Sequence, residues 1–408
     1  MTQWRGYDSM GKNPAHNKIK CLRCHQKSAV SFVEEYCIEC LLEVLQERLR
    51  YRRCKRDTIK WAIMRLKTIF LERPKLQSLF SELIGHMLGD GSFGLVDYYD
   101  EKYQMKRHYY LVRYTPSSND PEDARHFVDL HRILFGFEPK TYPKGSVIEV
   151  RSKHKVGHII HCFLPPGRKT ITNPKIPPFI YNSNDNMIGC LKAIFKDDGY
   201  LYLYKGTDDM NLKIDMNTCI SEKVKEELTA LLDINDRQNS KRQTYIYKHH
   251  LPQRIIKEIE ANNRCNVLDD ISKILTHLGV SHTLNFLRIN INKQSITATW
   301  VLSVDTTEDV RKLQQLGIID LDKMKANIIK TPTLKIGIRK VGARIPGARM
   351  RISNDVSDLF EKARIKFRSW KNLAIALKIH PKMLYRYRKG ISTIPVSVYN
   401  ELKHFITT

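Results

Sequence analysis

Two aspartates stand at the ends of two similar apolar segments, and their arrangement suggests chemistry that needs paired carboxylates. The segments are 83–91 and 191–199, and each carries a small residue five places before an Asp-Gly pair. If both segments are helices packed side by side, Asp90 and Asp198 meet at one end. Two convergent carboxylates resist joint ionisation unless a cation lies between them. Such a pair holding Mg²⁺ is suited to hydrolysing a phosphodiester.

The helices that carry these aspartates must approach each other closely. Gly85 and Ala193 are the small residues of the two segments, and they would let the helix backbones come together. Gly91 and Gly199 follow the aspartates and are expected to end the helices in the left-handed conformation. The return of one pattern at the spacing of a small domain indicates an internal duplication.

The two segments resemble the LAGLIDADG motifs of homing endonucleases, in the single-chain, two-repeat form of archaeal introns and inteins. Residues 176–180, Ile-Pro-Pro-Phe-Ile, precede the second copy as in intein-type members. The resemblance covers about 77–330. It implies an α+β fold with a duplicated αββαββα core, and a saddle of antiparallel strands over the major groove of DNA. It also implies double-strand cleavage with Mg²⁺ bound by Asp90 and Asp198. Asp197 falls on a variable motif position and is the less favoured ligand.

Parts of the chain depart from this family pattern. Lys196 fills a position that is often acidic, although that position is not the metal ligand. The stretch 206–266 is longer than a repeat requires, so helices predicted at 221–232 and 271–278 compete for the place of the second-repeat helix. The family often uses an accessory basic residue, for which three candidates remain: Lys153, Lys155 and Lys205.

Four cysteines near the N-terminus have the spacing of zinc ligands. They form two Cys-x-x-Cys pairs separated by twelve residues: Cys21, Cys24, Cys37 and Cys40. This pattern predicts a zinc ribbon over 1–41, whose bound Zn²⁺ would supply the folding energy that so small a segment lacks. The zinc is expected to be structural, because four thiolates leave no open position for chemistry.

The C-terminal part, 355–408, is predicted to be an all-α helix-turn-helix domain. Ser369 would cap a first helix over 369–379, and 382–390 would be the recognition helix. The stretch resembles the phage-repressor type. Early residues of such a helix reach base edges, and later ones meet phosphates. The residues expected at bases are Lys382, Met383, Tyr385 and Arg386, and those expected at phosphates are Arg388 and Lys389.

The charge of the chain points to a polyanionic partner. Lys plus Arg number 69 against 43 Asp plus Glu, a formal net charge of +26, and the sequence pI is near 9.6. Double-stranded DNA is the expected partner, and a membrane is not. The basic stretches are predicted as a helical linker, 42–76, for which a solvated surface is the alternative, and as a linker or extended arm, 323–354. Between them the repeats are predicted at 77–180 and 181–322.

These patterns together predict a free-standing, site-specific double-stranded DNA endonuclease of the homing type, with catalytic Mg²⁺ and structural Zn²⁺. Two alternatives stay open: a DNA-binding regulator that uses the same fold without cutting, and an RNA maturase that helps an intron to fold. The duplication already supplies two-fold symmetry, so a monomer is expected. The sequence starts without a signal peptide, so an intracellular, cytoplasmic location with association to the nucleoid is expected.

Overall fold

The fold is described from a computed structural model of the chain. It describes residues 22–25, 36–48, 56–101, 104–116, 121–144, 147–203, 209–231, 244–291, 295–330, 349–350, 354–377, 379–388 and 394–407. The chain divides into two compact units, 1–214 with 266–283 and 303–325, and 215–265 with 284–302 and 326–408. Among the described residues, none of the helices has the length and apolarity needed to cross a membrane.

The N-terminal part of the chain is helical where it is described. Helix α1 spans Ile38–Arg48 and α2 spans Arg56–Lys67, and a single π-helical turn, Thr68–Glu72, continues α2. The linker predicted as helical over 42–76 is therefore helical at 42–48 and 56–72. It buries apolar side chains such as Leu45, Ile63 and Leu66. Helix α1 crosses the predicted domain boundary between residues 41 and 42.

The first motif helix begins an α+β unit with an antiparallel sheet. Its elements are α3 (Leu76–Leu88), β1 (Gly91–Asp100), β2 (Met105–Tyr114), α4 (Pro121–Phe135), β3 (Lys140–Lys144), β4 (Val147–Arg151), α5 (His154–Ile160) and α6 (Lys169–Thr172). The strand order is β1-β2-β4-β3, and every pairing is antiparallel. From α3 to α5 this is the expected αββαββα order.

The second motif helix begins a longer series of elements. They are α7 (Asn184–Asp198), β5 (Gly199–Leu203), β6 (Met210–Cys219), α8 (Glu222–Leu231), β7 (Thr244–Tyr247), α9 (Gln253–Asn262), α10 (Asn266–His277), β8 (Thr283–Ile291), β9 (Ile296–Val304), α11 (Thr307–Gln315) and α12 (Leu321–Lys330). The strand order is β5-β6-β9-β8-β7.

The two strand orders show which elements correspond. Strands β5-β6-β9-β8 repeat the order β1-β2-β4-β3, so α10 takes the place that α4 has in the first copy. The elements α8, β7 and α9 are then an insertion, and β7 adds an edge strand that pairs antiparallel with β8. This explains the extra length of 206–266. The second-repeat helix is the one predicted at 271–278, and the competing helix at 221–232 belongs to the insertion.

Helices α3 and α7 cross with their backbones in direct contact. A Cβ atom added at Gly85 would lie 2.4 Å from the Cys190 carbonyl oxygen and 2.8 Å from the Ala193 Cβ atom. A Cβ atom added at Gly189 would lie 2.6 Å from the Ser78 carbonyl oxygen. Only glycine fits at these two positions. Gly85 packs against Ala193, as expected of the small residues, whereas the sequence pattern did not predict the contact at Gly189.

The glycines that follow the aspartates have a different role from the one predicted. Gly199 has φ −78° and ψ 138°, and Gly91 also lacks a positive φ, so neither is left-handed. A Cβ atom at Gly199 would lie 2.3 Å from the Phe195 carbonyl oxygen, and one at Gly91 would lie 2.6 Å from the Met87 Cα atom. Each glycine lets a strand start directly against the helix that it follows.

The described part of the C-terminal segment forms four helices that share a small core of their own. The elements are β10 (Arg349–Met350), α13 (Asn354–Phe367), α14 (Trp370–Ala376), α15 (Pro381–Arg388), β11 (Ile394–Pro395) and α16 (Val396–Thr407). The Ser369 side chain accepts a hydrogen bond from the backbone N–H of Asn372, as expected of a helix cap. Helices α14 and α15 occupy the places predicted for the first helix and the recognition helix.

We expect Gly85→Val to lower the free energy of unfolding by about 1–3 kcal/mol, because the atom nearest to the new side chain is backbone and cannot rotate away. Urea unfolding followed by circular dichroism measures the change. Gly94→Ala is the matched control, since a Cβ atom there would meet nothing within 4 Å. Equal loss of stability in both variants would contradict the close crossing.

Candidate active site

Asp90 and Asp198 come together at one end of the α3–α7 pair. Asp90 stands between α3 and β1, and Asp198 is the last residue of α7. Burial raises the pKa of Asp198 to about 7; the charge of Lys169 opposes the rise, and those of Asp90 and Asp197 add to it. The Asp90 carboxylate is therefore close enough for its charge to act on Asp198, as the side-by-side packing of the motif helices requires.

Lys169 lies among these acids, although no sequence pattern predicted it there. Its ammonium group donates hydrogen bonds to the carbonyl oxygens of Leu88, at 2.9 Å, and Gly89. Burial lowers the pKa of Lys169, while the charges of Asp198, Asp90 and Asp197 raise it. Nothing in the sequence distinguishes this lysine from the other basic residues. Only the fold brings it to the end of α3.

Two of the three basic residues suggested from the sequence lie beside aromatic rings instead. The ammonium group of Lys153 lies 4.4 Å from the ring centroid of Phe137, and that of Lys155 lies 4.2 Å from the ring centroid of Trp61. Lys205 lies outside the described residues. Within the described part of the chain, Lys169 is the basic side chain whose charge acts on both aspartates.

Asp197 turns inward and links the two motif helices. Its side chain is 2% exposed. Its carboxylate accepts hydrogen bonds from His86 Nδ1 at 3.0 Å, from the Tyr114 hydroxyl at 2.8 Å and from the Asp90 backbone N–H at 3.3 Å. Burial and the charge of Asp197 raise the pKa of Tyr114, so its hydroxyl stays a donor. These three hydrogen bonds hold the Asp197 carboxylate between the two motif helices.

The equivalent position in the other motif makes room for Asp197. Gly89 stands one place before Asp90, as Asp197 stands one place before Asp198. A Cβ atom at Gly89 would lie 2.7 Å from the Asp197 Cβ atom and 2.8 Å from Oδ2. The two copies of the motif are thus complementary at this position, because one lacks a side chain where the other inserts a carboxylate.

The residues at this end of the helix pair suit a divalent cation. The carboxylates of Asp90 and Asp198 and the carbonyl oxygens of Leu88 and Gly89 are oxygen donors, which Mg²⁺ prefers. Lys169 already occupies the two carbonyl oxygens, so the carboxylates of Asp90 and Asp198 are the donors that would hold the cation. The donor set therefore fits the expected Mg²⁺.

Three of the four predicted zinc ligands also come together. The sulfur atoms of Cys24, Cys37 and Cys40 lie within 4.8 Å of one another, and those of Cys24 and Cys37 are 3.9 Å apart. Sulfurs that share a tetrahedral zinc at about 2.3 Å would be separated by about 3.8 Å, whereas a disulfide needs about 2 Å. Cys40 lies in the first turn of α1, and Cys21 lies outside the described residues.

The predicted DNA-contacting residues of the C-terminal helices have different surroundings. Tyr385 is 51% exposed. Met383 instead packs against the small core. The Arg388 guanidinium lies 4.3 Å from the ring centroid of Trp370. Lys382 and Arg386 belong to α15, and Lys389 lies outside the described residues.

No protein-family model and no curated protein sequence matches this chain. Solved structures similar to it include the homing endonuclease I-DmoI in complex with DNA and Ca, with 14% identity, a TM-score of 0.33 and coverage of 62% of this chain and 98% of that one. A variant of I-SmaMI has 11% identity, a TM-score of 0.32 and coverage of 62% and 92%. The N-terminal LAGLIDADG domain of DUF199/WhiA has 11% identity, a TM-score of 0.28 and coverage of 61% and 86%. These TM-scores lie below 0.5. The correspondence between the two copies of the fold therefore follows from the strand orders of this chain itself.

We expect Cys37→Ser to remove bound Zn²⁺ from the N-terminal segment, because a hydroxyl replaces a buried thiolate ligand. Elemental analysis of the purified protein by mass spectrometry measures the loss. Cys265→Ser is the matched control, since Cys265 is also buried but lies far along the chain from the cysteine pairs. Unchanged zinc content in Cys37→Ser would contradict this site.

We expect Asp198→Asn to stabilise the protein against urea at about pH 8, by roughly 1–3 kcal/mol. The pKa of Asp198 in the folded chain is about 7, above its ordinary value of 3.8, so folding favours the protonated form. The contribution of this group to stability is therefore present at low pH and is lost as pH rises from about 4 to about 7. The amide cannot ionise, so Asp198→Asn should not show this loss.

Urea unfolding without divalent cations at about pH 5 and about pH 8 measures the difference. Asp185→Asn, at the exposed start of the same helix, controls for the loss of one acid. A wild-type protein and an Asp198→Asn variant with the same pH dependence would show that this carboxyl is not desolvated.

Proposed function

We propose that this chain is a site-specific double-stranded DNA endonuclease of the LAGLIDADG homing type. In this proposal Asp90 and Asp198 bind a divalent cation, Mg²⁺ by preference, and phosphodiesters of both DNA strands are hydrolysed at the end of the α3–α7 pair. The observation that supports the proposal is that Asp90 and Asp198, more than a hundred residues apart in a strongly basic chain, lie near enough for the charge of Asp90 to act on Asp198.

The antiparallel sheets supply surfaces suited to nucleic acid. On neighbouring strands of both sheets a basic side chain lies over a tyrosine ring: Arg151 over Tyr142 at 4.6 Å, Lys213 over Tyr202 at 5.2 Å and Arg288 over Tyr245 at 4.6 Å. Lys and Arg bind phosphate and release counterions, while Arg forms paired hydrogen bonds with base edges. We therefore propose that these sheets form the DNA-binding saddle.

Each residue at the candidate active site has a role that follows from its position. Mg²⁺, when bound, would polarise the phosphate and lower the pKa of a water molecule. Asp90 and Asp198 would hold it, and Asp198 would lose the proton that burial favours when the cation arrives. Lys169 would place a positive charge beside the phosphate as negative charge develops there. Asp197 would hold the ends of both helices together through His86, Tyr114 and the Asp90 N–H.

The terminal modules would extend the contact with DNA. We propose that Lys382, Tyr385 and Arg386 on α15 reach base edges, and that Arg388 and Lys389 meet phosphates. Met383 belongs with the core of the C-terminal helices.

The cysteine-rich segment, with Zn²⁺ bound by Cys21, Cys24, Cys37 and Cys40, would add a further small module. Base contacts would provide selectivity, and each phosphate contact would add salt-sensitive affinity.

One observation favours a second function, binding of DNA without cleavage. Lys169 already supplies a buried positive charge to Asp90, Asp197 and Asp198, and it occupies the carbonyl oxygens of Leu88 and Gly89. A chain that had given up the metal could keep its acids in place in this way. Such a protein would be a sequence-specific regulator that uses the same surfaces.

We expect the full chain to cut members of a randomised duplex library in Mg²⁺, and the Asp90→Asn, Asp198→Asn double variant to lose at least about a hundredfold in rate while still binding DNA. Removal of groups that stabilise developing charge has effects of this size. Sequencing of cut ends and a filter-binding assay give the two readouts.

The Asp185→Asn variant is the control for this experiment and should cut like the wild type. Tight, selective binding without cuts in Mg²⁺ or Mn²⁺ would support the regulator and overturn the endonuclease. Preference for folded RNA over duplex DNA would support the maturase and overturn both DNA proposals.

A further inference from the structure

A second group of metal-binding side chains lies beside the helix crossing, about two turns before Asp90. Glu82 and His86 stand four residues apart on α3 and so share one face of the helix, and His126 reaches them from α4. One ligand atom from each of the three residues lies within 4.8 Å of the others. The side chains of Glu82 and His86 are 6% and 0% exposed, and that of His126 is 33% exposed.

His86 is held in the form that a metal ligand needs. Its Nδ1 atom lies 3.0 Å from the Asp197 carboxylate, which can only accept, so Nδ1 carries the proton. The lone pair is then on Nε2. This atom is buried and has no hydrogen-bond partner within the described part of the chain. A carboxylate on the far nitrogen of an imidazole is the usual outer partner of a metal-bound histidine.

We propose that Glu82, His126 Nε2 and His86 Nε2 bind one Zn²⁺ ion, separately from the acids at Asp90 and Asp198 and from the cysteines. Two imidazoles and a carboxylate form a ligand set that favours zinc over magnesium. A water molecule would take the fourth position. The bound ion would join α3 to α4, and through the His86–Asp197 hydrogen bond it would also hold α7.

The present distances need only a small adjustment to receive the ion. His126 Nε2 and Glu82 Oε1 are 2.7 Å apart, as in a shared proton. Ligands about 2.0–2.1 Å from a tetrahedral zinc lie about 3.3 Å from each other. His126 is partly exposed and can turn by this amount, so that zinc replaces the proton between it and Glu82.

Lys192 is the competing cation at this site. Its ammonium group lies 3.1 Å from Glu82 Oε1, and its side chain is 45% exposed. Zinc would displace this ion pair, and the flexible lysine would turn into solvent. Only the lysine end of this pair is exposed, and the buried Glu82 carboxylate would keep a positive charge beside it because the zinc ion takes the place of the ammonium group.

Cobalt(II) distinguishes this site from the cysteine site, because only thiolate ligands give intense charge-transfer bands in the near ultraviolet. The full chain, stripped of metal, would be titrated with Co²⁺ and then dialysed at equilibrium. We expect the wild type to retain one more Co²⁺ per chain than His126→Gln or Glu82→Gln, or to bind that ion at least about tenfold more tightly. The difference spectrum should lack thiolate bands.

His108→Gln is the matched control, since His108 also pairs with a carboxylate, Asp97, but belongs to neither metal-binding group in the described residues. It should bind Co²⁺ like the wild type.

Zn²⁺ should displace the extra Co²⁺ and raise the Tm of the wild type by several degrees. The rise in Tm should be smaller in both ligand variants. Glutamine at 126 or 82 keeps a hydrogen-bonding group, and circular dichroism checks the fold. The same stoichiometry, affinity and spectra in all four proteins would overturn the proposal.

Discussion

The contact between the backbones of α3 and α7 is the constraint on which the rest of the site depends. Gly85 and Gly189 bring each helix against carbonyl oxygens of the other, at distances that no side chain could share. The ends of both helices lie together at this crossing. The charged residues at these ends must therefore have partners that offset their mutual repulsion and their burial. The acids at Asp90, Asp197 and Asp198 are therefore a consequence of the packing as well as a candidate for chemistry.

The chain accommodates these three carboxylates in different ways. Asp197 is buried but fully hydrogen-bonded, which offsets the cost of taking its charge out of water. Asp198 has few such partners, and its burial raises its pKa to about 7. Lys169 offers a positive charge near all three. A bound cation would therefore favour the ionised form of Asp198, which connects the electrostatics of the site to the proposed cleavage.

The duplication is symmetric in topology but not in side chains. Both sheets share the same order of four strands, yet the second copy carries an insertion with its own edge strand, β7. At the motif helices, Gly89 in one copy makes room for Asp197 in the other. His86, on only one of the two helices, uses that carboxylate as a partner. The region beside α3 therefore differs from its counterpart beside α7, and the proposed Glu82–His86–His126 site exists on one side.

The sequence alone was sufficient to locate the motif helices and the small residues Gly85 and Ala193 at their crossing, because these depend on short-range periodicity and on residue size. It also indicated that Asp90 and Asp198 would converge, since that follows from packing two equivalent helices side by side. It did not indicate Lys169, the His86–Asp197–Tyr114 network or the role of Gly91 and Gly199. Those depend on which atoms the fold places within a few ångströms across long chain separations. Spacing along the chain carries no information about such contacts, so only the tertiary structure decided them.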